Sequence, residues 1–228
     1  EKLVGQVVEA CSEPFGDYSI FPTMLLAQFA SQQVKVMLSG DGGDELFWGY
    51  TGRMGAAIRN APAFRRPFWQ RKLRWHALRR SGEWNLSYFK TPGEWDRSNH
   101  EHNFEAWLKG YFPTLAPLPE SYQQYDYAGS NPDETAQWVR WNEFTGHMAN
   151  GLLKVDRGSM FHSLEVRVPL LDREVIETAL NVDWRTCLDL QEGLGKLPLR
   201  RALQKRVQHQ SGSKRGFTVP MEDWLRGP

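Results

Sequence analysis

The densest group of chemically competent side chains lies in Ser39–Glu45, which reads Ser-Gly-Asp-Gly-Gly-Asp-Glu. The carboxylates in this segment are hard oxygen ligands, suited to a magnesium ion that bridges a phosphate. The glycines permit positive φ and a close approach of the backbone to a ligand. The segment lacks the spacing of an EF-hand calcium loop and the Gly-Lys-Ser/Thr of a P-loop. On residue types alone, a polar turn before a helix N-terminus explains the same residues.

A short buried strand is predicted immediately before this segment, over Val34–Leu38, where the chain is apolar and β-branched at two positions. In open α/β sheets, ligands bind at the carboxyl ends of the strands, which is where the segment would lie. After Tyr50 the apolar residues follow the helical period. We therefore predict mostly helix there, with Asp133–Leu180 packing against the edge of the sheet.

Three motifs resemble, in order, those of the asparagine synthetase family. The segment Ser39–Tyr50 resembles the family's SGEGxDExFGGY, and Leu153–Asp172 resembles its LxKxDRxSMxxSLExRxPxLD. Near the end of the sequence, Lys214–Leu225 resembles KxGFxxPxxxWL. On these motifs the chain is identified as a member of this family, within the ATP-pyrophosphatase superfamily. The middle third of the chain is weakly matched.

The resemblance implies an α/β fold, namely the end of a parallel-sheet nucleotide-binding domain of the adenine nucleotide alpha-hydrolase-like type, followed by a mostly helical region. We expect residues 1–55 to be the C-terminal part of the α/β core. Residues 56–132 would be a helical insertion rich in Trp and Arg, and residues 133–228 a helical part that completes the synthetase site. The sequence opens within an apparent helix and without Met. We therefore expect a fragment that lacks the family's N-terminal glutaminase domain and pyrophosphate loop.

The activity that the resemblance implies is ATP-dependent amide formation. A carboxylate, aspartate by the family's name, would be activated with ATP and Mg²⁺ as an acyl-adenylate, and ammonia would then displace AMP. The ammonia would come from the missing glutaminase domain, so we expect the fragment alone to be inactive. The resemblance also makes a homodimer the expected assembly of the full-length protein. The runner-up interpretation is a relative with a different carboxylate and amine, in natural-product or surface-sugar assembly.

The motifs also imply roles for single residues. The positions matched to nucleotide contacts are Ser39, Gly40 and Gly42. Asp41 matches an acidic residue that is important for forming or aminolysing the adenylate, and Asp44 matches the residue that holds magnesium. Lys214 matches a lysine on the phosphates, which the chain would have to bring back to the same cleft. On composition alone Lys214 is a surface lysine, but its Lys-x-Gly-Phe context favours the phosphate role, since a buried phosphate needs a cation.

Further residues are candidates for substrate contact or for shaping the site: Asp17, Ser19, Glu45, Asp156, Arg157, Glu165 and Arg167. The family has a similar PFxDxS loop beside its nucleotide site, which Asp17 and Ser19 match. Helix capping and turn formation explain these two residues equally well. We interpret the four charged residues of the second motif mainly as a buried ion-pair network that shapes the site.

Two departures from the family pattern concern the size of side chains. Asp41 is a Glu in many relatives and reaches one methylene less far. Trp48 stands where the family usually has Gly, which places a bulky group near a helix start. Neither departure removes a charge that the chemistry needs.

Composition limits the remaining classes of partner and of cellular location. The 228 residues have a net charge of +1 and no apolar run of membrane-spanning length, so no nucleic-acid or membrane partner is indicated. Two cysteines are too few for a disulfide framework, and no signal peptide is visible, so the cytoplasm is the default location. Seven basic residues without an acid between Ala61 and Gly82 could bind RNA, but a solvated helix face explains them better.

Overall fold

The computed structural model describes residues 2–77, 89–100, 109–114, 125–207, 219, 224 and 226. This part of the chain is mixed α/β, mostly helical, with a small parallel sheet. None of its helices is both long enough and apolar enough to cross a bilayer. The chain divides into two compact units, the first formed by Glu1–Gly43, Phe144–Asn181 and Leu199–Pro228 and the second by Asp44–Glu143 and Val182–Pro198. The three-part division expected from the sequence stays a prediction.

The helices and strands are short. In chain order they are α1 (Lys2–Cys11), α2 (Ile20–Ser31), β1 (Val36–Leu38), α3 (Gly43–Leu46), α4 (Thr51–Asn60), α5 (Phe68–Ala77), α6 (Pro92–His100), α7 (Pro132–Asn142), α8 (Met148–Met160), β2 (Glu165–Arg167), α9 (Arg173–Asn181), α10 (Trp184–Cys187) and α11 (Leu197–Gln204). A π-helical turn, Glu143–His147, joins α7 to α8. Single turns of 3-10 helix lie at Ala61–Arg65 and Pro169–Leu171.

The first unit contains the parallel sheet, in which β1 pairs with β2 in the register Val36 to Glu165 and Leu38 to Arg167. The Ser39 N–H extends the ladder by donating to the Arg167 carbonyl at 2.8 Å. The predicted strand is thus confirmed, with its paired part at Val36–Leu38. Its expected burial is wrong, since Val36 is 40% and Leu38 69% exposed, because one neighbouring strand is all that the described residues provide to cover it. Ser39 is the first residue of the first motif and Arg167 belongs to the second, so the hydrogen bond between them joins two of the three motifs.

The core of the first unit forms where α1, α2 and α8 meet. Cys11, Ile20 and Met24 are buried there. Gly158 of α8 faces α2, and a Cβ at this position would lie 3.3 Å from the side chain of Thr23 and 3.4 Å from that of Met24. The absence of a side chain at Gly158 therefore lets the two helices approach closely.

The core of the second unit is centred on Trp48, which is fully buried. Its indole N–H donates to the Ala136 carbonyl at 3.2 Å, and the guanidinium of Arg140 lies 4.6 Å from its ring centroid. Trp48 has a φ of +51°, in the left-handed region that glycine adopts most easily. This backbone shape accounts for the glycine that the family usually has at this position. Here the packing of the indole offsets the cost of the conformation.

The sequence predicts helix caps at Asp133 and Asp172 and a helix over residues 156–163, and the helix ends partly follow these predictions. The Asp172 carboxylate accepts the Glu174 N–H at 2.9 Å at the start of α9, as predicted. The cap of α7 is Asn131 rather than the predicted Asp133, because Pro132 already occupies the first helical turn. The Asp133 carboxylate accepts the indole N–H of Trp184 instead, at 2.8 Å. The helix predicted for residues 156–163 is the end of α8 and stops at Met160.

The basic segment after Ala61 is not uniformly solvated. Arg71 is only 6% exposed. Its guanidinium donates to the Phe89 and Lys90 carbonyls at 2.8 Å each and lies 4.5 Å from the ring centroid of Phe64. The prediction of a solvated face is therefore wrong for Arg71, because its donors hold a neighbouring chain segment. Arg65, Arg66 and Lys72 are exposed; the side chains of Arg74, Arg79 and Arg80 are not among those that the structure describes.

Gly42 offers a test of the strand-end loop. Its φ is +85°, and an added Cβ would overlap the side chain of Leu171, whereas Gly40 has open space around its Cβ position. We expect Gly42→Ala to lower the free energy of unfolding by about 1–3 kcal/mol, because it combines backbone strain with a clash. Gly40→Ala, the matched control, should leave stability near that of the wild type. Urea denaturation of both variants measures the difference, and equal stability would contradict this account of the loop.

Candidate functional site

The loop Ser39–Gly43 follows β1 at its carboxyl end and is closed by its own hydrogen bonds. The Ser39 hydroxyl donates to the Asp41 carboxylate, and the Asp41 N–H donates back to the Ser39 hydroxyl at 3.3 Å. The Gly43 N–H donates to the Gly40 carbonyl at 3.3 Å. The polar turn considered in the sequence analysis is therefore present. The open space at Gly40 leaves the backbone there accessible to a ligand.

A second polar group in the first unit joins Asp17 and Ser19 to Lys154 of α8. The Lys154 ammonium donates to the Asp17 carboxylate at 3.2 Å and to the Ser19 hydroxyl at 2.8 Å. The Ser19 N–H donates to the other carboxylate oxygen of Asp17 at 2.8 Å. Burial acts to raise the pKa of Asp17, but the hydrogen bonds from Ser19 and the charge of Lys154 hold this pKa below its ordinary value. Asp17 is thus ionised and forms an ion pair with the ammonium of Lys154.

The sequence analysis gave Lys154 no role, although Lys154 occupies the lysine position of the second motif. Its partners lie more than 130 residues earlier in the chain. The lysine in the motif LxKxDR was the signal that pointed to it. Asp17 and Ser19 were expected to line a nucleotide site or to cap a helix. The Ser19 side chain makes no capping hydrogen bond at the start of α2, so capping by Ser19 is wrong, whereas Asp17 forms the expected turn by accepting the Ser19 N–H. The nucleotide role of both residues stays a prediction.

In the second unit, Asp44 forms an ion pair with Lys196. The Lys196 ammonium lies 3.0 Å from Oδ1 of Asp44, and the two side chains are 30% and 25% exposed. Gly49 donates its N–H to the Asp44 carbonyl at 2.8 Å, and a Cβ at Gly49 would overlap the Asp44 carboxylate. The carboxylate therefore occupies space that a glycine leaves open.

The donor chemistry of Asp44 fits a divalent cation. The Asp44 carboxylate is a hard oxygen donor that is partly accessible to solvent. It already pairs with a positively charged group, the ammonium of Lys196. Glu45 differs, because it is buried and accepts the Tyr50 hydroxyl at 2.6 Å. Burial raises the pKa of Glu45 above its ordinary value. Of the two adjacent acids, Asp44 is therefore the better metal ligand, and Glu45 is a buried hydrogen-bond acceptor.

The charged residues of the second motif do not form the buried network that we expected. Glu165 pairs with Arg167 at 2.7 Å, and both side chains are more than half exposed. Arg157 pairs with Glu13 at 3.1 Å and donates to a backbone carbonyl. Asp156 is exposed. The expectation of burial is wrong because β2 is short and solvated at Glu165 and Arg167. A substrate contact by these residues stays a prediction.

A buried polar network exists instead in the second unit, and the sequence analysis missed it. Glu143 is fully buried, and its carboxylate lies 2.5 Å from the Arg53 guanidinium and 3.2 Å from Nε2 of His100. Nδ1 of His100 is 3.0 Å from the Asp96 carbonyl oxygen, and Asn142 donates to the buried Asp96 carboxylate at 2.7 Å. No local motif marks these residues, which come from α4, α6 and the end of α7.

Burial sets the charge state of this network. It raises the pKa of Asp96 to about 6, with His100 and Arg53 opposing the shift and Glu143 adding to it. For His100, burial lowers the pKa, but the hydrogen bond with Glu143 and the nearby acids outweigh it, so the pKa is raised. Both shifts make the network more protonated in the folded chain than in the unfolded chain.

The structure brings together only some of the residues predicted from the sequence. Ser39 contacts Asp41, and Asp17 contacts Ser19. Asp41 belongs to the first compact unit and Asp44 to the second. Lys214 lies outside the described residues. The roles assigned to all these residues stay predictions.

Comparison with known proteins gives a consistent result. The family model described as asparagine synthase matches residues 1–228. A putative asparagine synthetase (glutamine-hydrolyzing) of Mycobacterium tuberculosis (strain ATCC 25618 / H37Rv) is 30% identical over 245 residues, covering 97% of this chain and 35% of that protein. Asparagine synthetase (glutamine-hydrolyzing) 1 of Bacillus subtilis (strain 168) is 30% identical over 239 residues, covering 97% of this chain and 36% of that protein.

A shorter match involves a putative asparagine synthetase (glutamine-hydrolyzing) 2 of Methanocaldococcus jannaschii (strain ATCC 43067 / DSM 2661 / JAL-1 / JCM 10045 / NBRC 100440). It is 44% identical over 70 residues, which are 29% of this chain and 14% of that protein. No solved structure matches the chain. The chain spans about a third of the length of the mycobacterial and Bacillus relatives.

The buried network predicts an unusual pH dependence of stability. Between the ordinary pKa of Asp96, 3.8, and its folded value of about 6, the folded chain holds a proton that the unfolded chain has released. Stability therefore falls as pH rises through this window. In Asp96→Asn, which can still accept from Asn142, this fall should shrink by on the order of 2 kcal/mol.

Urea denaturation at about pH 4 and about pH 7 measures the effect, since the two values span most of the window. The exposed Asp126→Asn serves as the matched control and should retain the pH dependence of the wild type. An Asp96→Asn variant with the same pH dependence as the wild type would show that Asp96 does not titrate as inferred.

Proposed function

The chain belongs to the asparagine synthase family, and on that premise we propose that it forms the adenylating part of a glutamine-dependent, asparagine synthetase-like ligase. The observation that carries the proposal is the Ser39–Gly43 loop at the carboxyl end of β1, within the first family motif. The names of the matched relatives support aspartate as the carboxylate and glutamine as the source of ammonia. A different carboxylate and amine pair is the alternative that a substrate screen would reveal.

We propose a nucleotide-binding role for the sheet of the first unit. Two parallel strands with a glycine-rich loop at the carboxyl end of the first strand are compatible with the general position of ligands in α/β sheets. Accessible backbone at Gly40 and the hydroxyl of Ser39 would contact the nucleotide. Gly42 would act indirectly, since its positive φ and its contact with Leu171 fix the shape of the loop.

The proposed reaction has two steps. A carboxylate oxygen of the substrate attacks the α-phosphorus of ATP, the bond to the β-phosphate oxygen breaks, and pyrophosphate leaves. Ammonia then attacks the acyl carbon of the adenylate, loses a proton, and displaces AMP to leave the amide. Negative charge accumulates on phosphate oxygens in the first step, so cations must be positioned there.

The residues of this chain would divide that work. Asp44 would hold Mg²⁺, which supplies charge neutralisation at the phosphates. Lys214 would place a mobile point charge on the same phosphates. Asp41, whose carboxylate accepts from Ser39, would act on the reacting groups of the substrate. Asp17 and Ser19, oriented by Lys154, would line the nucleotide site.

The proposal also extends to the longer protein. Ammonia would be delivered by a glutaminase domain, as the names of the relatives indicate. Residues 1–55 would contribute the end of the nucleotide-binding core, and residues 133–228 would complete the synthetase site. A homodimer is the proposed assembly of the full-length protein.

Exchange of labelled pyrophosphate into ATP tests the metal role of Asp44. In the full-length protein, Asp44→Asn should reduce carboxylate-dependent exchange by roughly 100-fold or more, because the Mg²⁺ that neutralises the phosphates loses its carboxylate ligand. Glutaminase activity should remain. Asp126→Asn removes an exposed acid and should leave exchange unchanged. Near-normal exchange in Asp44→Asn would reject the metal role.

The same assay separates Lys214 from its neighbour Arg215. Lys214→Ala should lose roughly 100-fold or more of the exchange rate, because a cation that neutralises charge on the phosphates is removed. Arg215→Ala should retain most of the rate. Equal and mild losses in both variants would mean that Lys214 contributes only general surface charge.

A further inference from the structure

The ion pair between Lys196 and Asp44 is a feature that the proposed function does not use. Lys196 was not assigned to the site from the sequence. Its ammonium nevertheless lies 3.0 Å from the carboxylate to which the proposal gives Mg²⁺. Both residues belong to the second compact unit.

The backbone holds Lys196 in place next to the turn that contains Asp44. The Lys196 N–H donates to the Phe47 carbonyl at 2.9 Å. Gly195 packs so closely that a Cβ there would overlap the Trp48 carbonyl oxygen. Lys196 itself has a φ of +57°, which is costly for a residue with a side chain and persists only where surrounding contacts impose it. Main-chain contacts thus fix the backbone of Lys196, from which the side chain reaches the Asp44 carboxylate.

A divalent cation and the ammonium compete for the same oxygen. Mg²⁺ binds carboxylate oxygens at about 2.0–2.1 Å and keeps several further ligands around it. With the ammonium already at Oδ1, an arriving dication meets a like charge in its own coordination sphere. The ion pair is also only partly exposed, so solvent screens this repulsion incompletely.

We propose that Lys196 is a resident counter-ion of Asp44 that a free divalent cation must displace. A metal that arrives bound to a polyphosphate brings anionic phosphate oxygens with it. The displaced Lys196 ammonium can then form an ion pair with these oxygens. Lys196 thereby disfavours occupation of Asp44 by free metal and favours entry of the metal together with the nucleotide. This inference rests on the proposed metal role of Asp44.

Binding of free Mn²⁺, used as the probe for the metal site, tests the inference without any turnover. The free Mn²⁺ signal in electron paramagnetic resonance reports binding to the nucleotide-free protein. We expect Lys196→Gln to bind Mn²⁺ about three- to ten-fold more tightly than the wild type, because one partly exposed ion pair no longer has to break. Lys196→Arg, which keeps the charge, should remain close to the wild type.

Two control variants distinguish this effect from a change in net charge and from failure of the proposed function. Lys72→Gln removes an exposed positive charge from the same unit and should leave the Mn²⁺ affinity unchanged. Asp44→Asn should remove the site. If Asp44→Asn binds Mn²⁺ as the wild type does, the metal role in the proposed function fails and this inference fails with it.

An unchanged or weaker Mn²⁺ affinity in Lys196→Gln, with the site still lost in Asp44→Asn, would overturn only the counter-ion role of Lys196. The near-isosteric Lys196→Met provides the same comparison should the Gln variant not fold. Tryptophan fluorescence during urea denaturation reports folding of each variant, since Trp48 is buried beside the turn that holds Lys196.

Discussion

The parallel pairing of β1 with β2 is the constraint on which the first unit depends. Each strand has three residues, and the two are separated by more than 120 positions in the chain. The hydrogen bond from the Ser39 N–H to the Arg167 carbonyl ends the ladder and starts the loop. The same pairing leads the chain after β2 to Leu171, whose side chain lies against Gly42. The conformation of the first motif is therefore set by the second motif and not by local preferences alone.

The second unit meets a different constraint, because it places acidic side chains in or near an apolar core. Glu45, Asp96 and Glu143 are buried. Buried carboxylates need hydrogen bonds or cations, since the loss of hydration is otherwise uncompensated. Tyr50, Arg53 and His100 supply part of that compensation, as does the amide of Asn142. Asp44 remains partly accessible and is held by Lys196. This contrast in burial separates structural acids from the acid that is available to a ligand.

Local pattern was sufficient for the elements that depend on neighbouring residues. The strand before Ser39, the polar turn after it and the Asp172 cap all follow from short stretches of sequence. Long-range partners could not be derived this way. The partners of Lys154, of Lys196 and of the Asp96 network lie on segments that are distant in sequence and meet only in the folded chain.

One expectation was wrong for a physical reason, and one departure from the family pattern has a physical explanation. The charged residues of the second motif were expected to be buried because they are dense in sequence, but Glu165 and Arg167 lie on a short, solvated strand. Trp48 was treated as a bulky departure from a glycine. Its positive φ is a conformation that a glycine adopts without strain, and the buried indole shows how a large residue can be accommodated there.

The most direct test of the account is the fate of carboxylate oxygen during turnover by the full-length protein. With aspartate labelled with ¹⁸O in its side-chain carboxylate, ATP, Mg²⁺ and ammonia, the account predicts transfer of one labelled oxygen to AMP. Formation of ADP with the label in inorganic phosphate, or AMP without label, would contradict it.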